Sequence, residues 1–177
     1  MAHIMQILEE TGAFGVLGPV NAQHKLTVQW PNSPPFEPGQ SVPGHLLNSA
    51  RSQPKVFTDF QGGGNGYLLV MLAHYSGQST DNQMCHWIVS GVPVSDNSVE
   101  VEKGHTLAPY IPPMMGDEGQ AQLFFLLLNP RPGAAFNPAA VMAELRGMMP
   151  MGPPKLNTRS FLKNTGLEVV AASVLMG

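Results

Sequence analysis

Hydrophobic and polar positions alternate over short stretches, so the chain reads as a series of strands. Leu26-Thr27-Val28-Gln29-Trp30 places apolar residues on one side only and predicts a half-buried strand. Pro54 to Phe57 predicts another. Tyr67 to Ala73 is apolar at every position, the pattern of a central strand covered on both faces, and Ala121 to Leu128 repeats it. Met84 to Ser90 forms a strand that stops at Gly91-Val92-Pro93, and Ser98 to Glu102 an edge strand. His74 to Gln83 reads as a polar loop.

Helical signals are concentrated late in the chain. Asn137 is a suitable N-cap with Pro138 at the first helical position. Val141, Met142, Leu145 and Met149 follow on one face until Pro150 stops the helix. Thr158 to Lys163 predicts a shorter helix closed by Gly166, and Leu167 to Leu175 a final strand. Strands with irregular spacing and two late helices do not make a repeating βαβ pattern. The expected fold is mainly β, an antiparallel β-sandwich with peripheral C-terminal helices. One domain spanning residues 1–177 is expected, with residues 1–25 as an N-terminal segment and Met1 to Met5 set aside as a tag remnant.

Composition changes this picture little. Charged residues make up 12% of the chain and apolar ones 43%, with 19 glycines and 17 prolines, which suits short elements joined by stiff turns. A net charge of −3 gives no support for nucleic-acid binding. The longest apolar run, Leu123 to Leu128, is too short to span a bilayer. With no signal-peptide pattern and one cysteine, a cytoplasmic home without disulfides is expected.

The six histidines show no metal-ligand spacing, so no metal site is expected. The glycine-rich run 62–66 lacks the Gly-Lys-Ser/Thr of a phosphate loop and reads as a turn. No pattern calls for a cofactor. Interest falls on Gln83-Met84-Cys85-His86-Trp87, where a histidine adjoins a tryptophan in an apolar strand. Simple alternation puts Cys85, Trp87 and Val89 on the core face, and Met84, His86, Ile88 and Ser90 on the other. There His86 is a packed imidazole, part of a ligand pocket or an acid/base. His74 and Tyr75 follow the central strand, at a strand end where sites are often built. Tyr110, Pro112, Pro113, Met114 and Met115 form a stiff loop whose methionines suit an adaptable apolar pocket.

Four segments together resemble the phosphatidylethanolamine-binding protein family. Tyr67-Leu-Leu-Val-Met71 is similar to the strand leading to that family's Asp-Pro-Asp-x-Pro signature. Cys85-His86-Trp87 is similar to the strand carrying its pocket histidine. Tyr110-Ile-Pro112-Pro113 through Phe124-Phe125 is similar to its Tyr…Pro-Pro…Gly-x-His-Arg-Tyr segment, and Asn157 to Ala172 to its closing helix and strand. The resemblance implies an antiparallel sandwich with an anion pocket.

Departures from the family concern that pocket. Ala73-His74-Tyr75-Ser76-Gly77 stands where the family has Asp-Pro-Asp-x-Pro, and Gln120-Ala121-Gln122 where it has His-Arg-Tyr. Only His86 is carried over from the anion-binding set. Each charge-assisted hydrogen bond lost is worth roughly 1.5–3 kcal/mol, which disfavours a phospholipid headgroup.

Divergent family members in fungal secondary metabolism, implicated in cyclising or dimerising polyketide intermediates, imply a first function: a cofactor-independent biosynthetic enzyme. His86, His74 and Tyr75 would be its catalytic residues. Tyr110, Pro112, Pro113, Met114, Met115, Gln120, Gln122 and Met84 would line a site for an apolar small molecule. A partner enzyme or a second copy is the expected association. The alternative is a non-catalytic module that binds an anion, a phospholipid headgroup or a small molecule and regulates protein partners.

Overall fold

The computed structural model describes residues 4–43, 51–59, 64–75, 79–112, 121–130, 138–145 and 154–176. Two N-terminal helices come first, α1 (Ile4–Glu10) and α2 (Phe14–Leu17). The strands are β1 (His24–Gln29), β2 (Lys55–Thr58), β3 (Gly64–Tyr75), β4 (Gln83–Ser95), β5 (Ser98–Val99), β6 (His105–Ala108), β7 (Ala121–Pro130), β8 (Lys155–Leu156) and β9 (Leu167–Met176). Helix α3 (Pro138–Ala143) follows β7, and α4 (Thr158–Thr165) separates β8 from β9.

The fold is mainly β, as expected, but the sandwich expectation needs correction. Strands β3, β7, β9, β1, β2, β5 and β4 are hydrogen-bonded in that order, and β4 pairs back onto β3. The sheet therefore closes on itself like a barrel, which removes most of its free edges. Pairing is antiparallel except between β1 and β9, where His24 lies beside Ala171 and Lys25 beside Ala172 in parallel. Strands β6 and β8 add to β4 outside the ring.

Closure explains why the central strands are apolar throughout. Leu69, Met71, Trp87, Val89, Phe125 and Leu127 turn inward to meet Leu26, Val28, Trp30 and Val56. Their neighbours Leu68, Val70, Leu72, Phe124, Leu126 and Val174 turn outward, beneath Ile4, Leu8, Val16, Leu17, Val141 and Phe161 of the helices. Each strand is thus covered twice, once by the opposite wall and once by helices.

Helix α4 shows how local signals set the cover. Asn157 accepts a hydrogen bond from the Ser160 amide at 3.2 Å, and Gly166 closes the helix in the left-handed conformation with φ 70°. Between them Phe161 is fully buried, an anchor worth about 1.5–3 kcal/mol. Gln83, also fully buried, accepts from the Thr158 amide at 3.0 Å and from its hydroxyl at 2.7 Å. The amide of β4's first residue thus fastens the helix to the sheet.

Three further expectations change. Residues 98–102 carry strand only at Ser98–Val99, and Val101–Lys103 form a 3-10 turn. Strand β4 runs on through Gly91, whose φ of 63° lets it bend, and ends at Ser95. The N-terminal helices stand where only a segment was expected, and Ile4 is buried at 4% exposure. Asn137, Met149 and Pro150 lie outside the described residues.

Candidate functional site

His74 and Tyr75, read from the sequence as loop residues, belong to β3 and pair with Gln122 and Ala121 of β7. Alternation along β3 then separates them. His74 follows Leu72 outward, while Tyr75 follows Ala73 inward and packs against the inner core.

A bulge brings His86 to Tyr75. Met71 pairs with Trp87 and Leu72 with Cys85, so His86 has no opposite residue on β3. The extra residue reverses the alternation of β4, sending Cys85 to the outer core and Trp87 to the inner one. The expectation that Cys85, Trp87 and Val89 share a face is corrected accordingly: Trp87 and Val89 do, and Cys85 does not.

The imidazole is fully buried and held from both sides. Nδ1 lies 2.8 Å from the Ile111 carbonyl oxygen, and the Ile111 amide donates to the His86 carbonyl at 2.8 Å. A carbonyl only accepts, so Nδ1 carries the proton. Nε2 is then the acceptor, and the Tyr75 hydroxyl donates to it at 3.1 Å. Burial holds the His86 pKa below its ordinary value; hydrogen bonds to the Ile111 and Pro112 backbone oppose that shift without cancelling it. The ring is neutral at pH 7, with a fixed tautomer.

Aromatic groups complete the surroundings. Tyr110 stacks edge-on against Trp87, with ring centroids 5.5 Å apart, and its hydroxyl accepts from Trp30 Nε1 at 2.9 Å. Burial pushes the Tyr110 hydroxyl up to about 12, so it remains a phenol. Met84 is half-buried on the inner side, opposite Ala73. Pro112 is half-buried next to the His86 ring.

Other candidates lie elsewhere. Gln122 is on the outer side, where its Nε2 donates to the Thr11 carbonyl at 2.7 Å and ties β7 to the N-terminal helices. His74 shares that side; burial lowers its pKa and the Asn82 backbone opposes this. Its Nδ1 is buried without a partner among the described residues. Pro113, Met114, Met115 and Gln120 lie outside the described residues. Sequence reasoning missed the Ile111 carbonyl and Trp30, because backbone acceptors and contacts between distant segments leave no local pattern. Among the described residues no group of three or more His, Cys, Asp or Glu side chains is placed to hold a metal ion.

The site thus offers a neutral histidine that polarises a half-buried tyrosine hydroxyl, within an apolar and aromatic wall. It can exchange a proton or hydrogen-bond a neutral ligand. Among its described residues no side chain supplies the positive charge that an anion would need.

No protein-family model and no curated protein sequence matches the chain. Solved structures do. A phosphatidylethanolamine-binding protein from Plasmodium vivax superposes with a TM-score of 0.71 at 15% identity, covering 99% of this chain and 96% of that one. A phosphatidylethanolamine-binding protein from Plasmodium falciparum gives 0.64 at 14% identity, covering 97% and 95%. The carboxypeptidase Y inhibitor, crystallised with its cognate proteinase, gives 0.70 at 14% identity, covering 98% and 93%. With near-complete coverage of both partners, the chain has the fold of the phosphatidylethanolamine-binding proteins.

Proposed function

We propose that the Tyr75–His86 pair is the acid–base centre of a cofactor-independent biosynthetic enzyme. It cyclises, dimerises or rearranges an apolar, polyketide-type intermediate. The observation that carries this reading is the fixed tautomer: Nδ1–H is committed to Ile111, leaving Nε2 to take the Tyr75 proton.

His86 is fully buried and Tyr75 half-buried, so the tyrosine oxygen is the atom that meets the substrate. As that oxygen takes a proton from an acidic carbon, its own proton passes to Nε2. The reverse movement delivers a proton to a different atom of the product, with no net gain of protons or electrons. The lowered pKa of His86 keeps the imidazolium short-lived, and Nδ1–H on Ile111 stabilises it while it lasts. The apolar wall orders a flexible substrate, and proximity supplies much of the rate.

Non-catalytic binding is the second reading, favoured by the fact that both ring nitrogens are already satisfied within the fold. A panel of polyketide-type β-keto lactones and alkyl maleic anhydrides, incubated in D2O and followed by mass spectrometry, separates the two. Catalysis predicts deuterium uptake or ring-closed product that falls by roughly 10²-fold or more in Tyr75→Phe. Turnover that survives both Tyr75→Phe and His86→Gln refutes the relay. Saturable binding at Tyr75 by NMR, with no turnover, establishes the second reading. Tight phosphate binding centred on His86 overturns the preference for a neutral ligand.

A further inference from the structure

The tautomer of His86 is decided on one side of its ring. A tyrosine hydroxyl both donates and accepts, so Tyr75 can bond Nε2 whether or not Nε2 carries the proton. A backbone carbonyl only accepts, so the Ile111 oxygen, 2.8 Å from Nδ1, admits one tautomer alone. Whatever holds that carbonyl therefore decides whether Tyr75 can pass its proton to His86. In the other tautomer Nε2 has no lone pair to offer, and the two side chains share a hydrogen bond without a transfer.

Three features hold it. Strand β6 runs beside β4 with Ala108 opposite Ile88, and the chain goes on to Ile111, whose amide donates to the His86 carbonyl at 2.8 Å. Pro112 favours an extended Ile111, because its ring disfavours helical backbone in the residue before it. In an extended residue the N–H and C=O face the same neighbour, so the Ile111 carbonyl also faces β4, where the imidazole meets it. Tyr110, one residue earlier, ties this segment to two walls of the inner core. Its ring stands edge-on to Trp87 with centroids 5.5 Å apart, and its hydroxyl accepts from Trp30 Nε1 at 2.9 Å. Trp30 is itself fixed: it is 2% exposed and packs edge-on against Phe36 and Phe125, with centroids 6.1 Å away in each case.

We propose that Trp30 and Tyr110 are positioning residues of the Tyr75–His86 pair. Their hydrogen bond anchors residues 110–112 and, through the Ile111 carbonyl, commits the His86 proton to Nδ1. Neither side chain exchanges a proton in this role; each acts by keeping Nε2 open to the Tyr75 proton. The consequence for catalysis rests on the proton relay proposed above, because the tautomer steers a transfer only where one takes place. The tautomer itself belongs to the resting fold and is read without substrate.

Long-range proton–nitrogen NMR correlation of the His86 ring, in the whole chain carrying isotope-labelled histidine, tests this. The parent chain should show the proton on Nδ1. Tyr110→Phe and Trp30→Phe, each checked for its fold by circular dichroism, should raise the share of the Nε2–H form by about two- to tenfold, the factor one hydrogen bond supplies. Tyr75→Phe should keep the parent tautomer although it removes the other partner of the ring. A parent proton on Nε2, an unchanged tautomer in either folded anchor variant, or a reversed tautomer in Tyr75→Phe would each overturn the proposal. If Trp30→Phe does not fold, Tyr110→Phe decides alone, because Tyr110 is half-buried and the change keeps its ring. Absence of turnover with the expected tautomers would remove the relay and leave the positioning role standing, so the two readings fail separately.

Discussion

The Tyr75 hydroxyl stands 3.1 Å from Nε2 of His86, although the two residues lie on neighbouring strands and 11 positions apart. The bulge falls at His86, between Cys85 on the outer side and Trp87 on the inner one, so this ring and Trp87 both turn to the side of Tyr75. Replacing Tyr75 with Phe should therefore leave a buried acceptor without a donor and cost about 1–3 kcal/mol of stability. Urea unfolding of Tyr75→Phe beside the parent chain measures this. An unchanged midpoint would mean that the hydroxyl does not hold Nε2 in solution.

The same burial predicts a pH dependence. The folded pKa of His86 is lowered from 6.5, while the unfolded chain titrates near that value. As pH falls below 6.5 the unfolded state takes up a proton that the folded state refuses, so stability declines down to the folded pKa and levels off below it. His74 is shifted in the same direction and adds to the effect. The urea midpoint should be flat above pH 7 and drop as the pH falls below 6.5, with a smaller drop in His86→Gln. A midpoint that rises on acidification would contradict the assigned neutral state.

Much of the fold was legible because burial is written locally. Tyr67 to Ala73 and Ala121 to Leu128 are apolar at every position because helices cover one side and the closed ring the other. Closure itself was not legible, since it depends on β4 returning to β3 and on the parallel contact of His24 with Ala171, which no local pattern encodes. Helix α1 carries only a short helical signal, Ile4, Ile7 and Leu8 on one face of seven residues. At the site, His86 stood out as a histidine in an apolar strand. Its pairing with Tyr75 did not, because the bulge overrides period-two alternation and the two faces cannot then be read by counting.

Gln83 should matter more than an exposed glutamine would. Its buried Oε1 accepts both the amide and the hydroxyl of Thr158, and Gln83→Leu would leave two buried donors unmet at the start of α4. A loss of about 2–4 kcal/mol is expected from urea unfolding. Asp81→Ala, which removes the exposed partner of Arg159, should cost less than about 1 kcal/mol. Equal effects of the two changes would show that the buried pair does not fasten the helix.

Two glycines should respond in opposite directions to alanine. At Gly104 a Cβ would lie 2.6 Å from Val89 Cγ1 and 2.7 Å from the Ser90 carbonyl oxygen, a backbone atom that cannot turn aside. Gly104→Ala should cost about 1–3 kcal/mol by pushing the 3-10 turn off β4. At Gly15, inside α2, nothing lies within 4 Å of the added carbon, so Gly15→Ala should gain about 0.5–1 kcal/mol from reduced backbone entropy. Melting temperatures of the two variants should move apart, and a fall in both would place an unseen contact against α2.

Cys85 provides a probe of the outer core. The bulge sends its side chain beneath the helices, where it is fully buried and burial pushes the thiol up to about 12. At pH 8 roughly one molecule in ten thousand would carry the thiolate, and that sulfur is out of reach of reagent. Labelling by a disulfide reagent such as Ellman's should therefore be slow in native buffer and complete within minutes in urea above the unfolding midpoint. In native buffer its rate should follow the opening of the outer core, so Gln83→Leu should speed it by the factor its stability loss implies. Stoichiometric labelling of the folded parent chain within minutes would show that Cys85 faces solvent and that the bulge does not turn β4 as described.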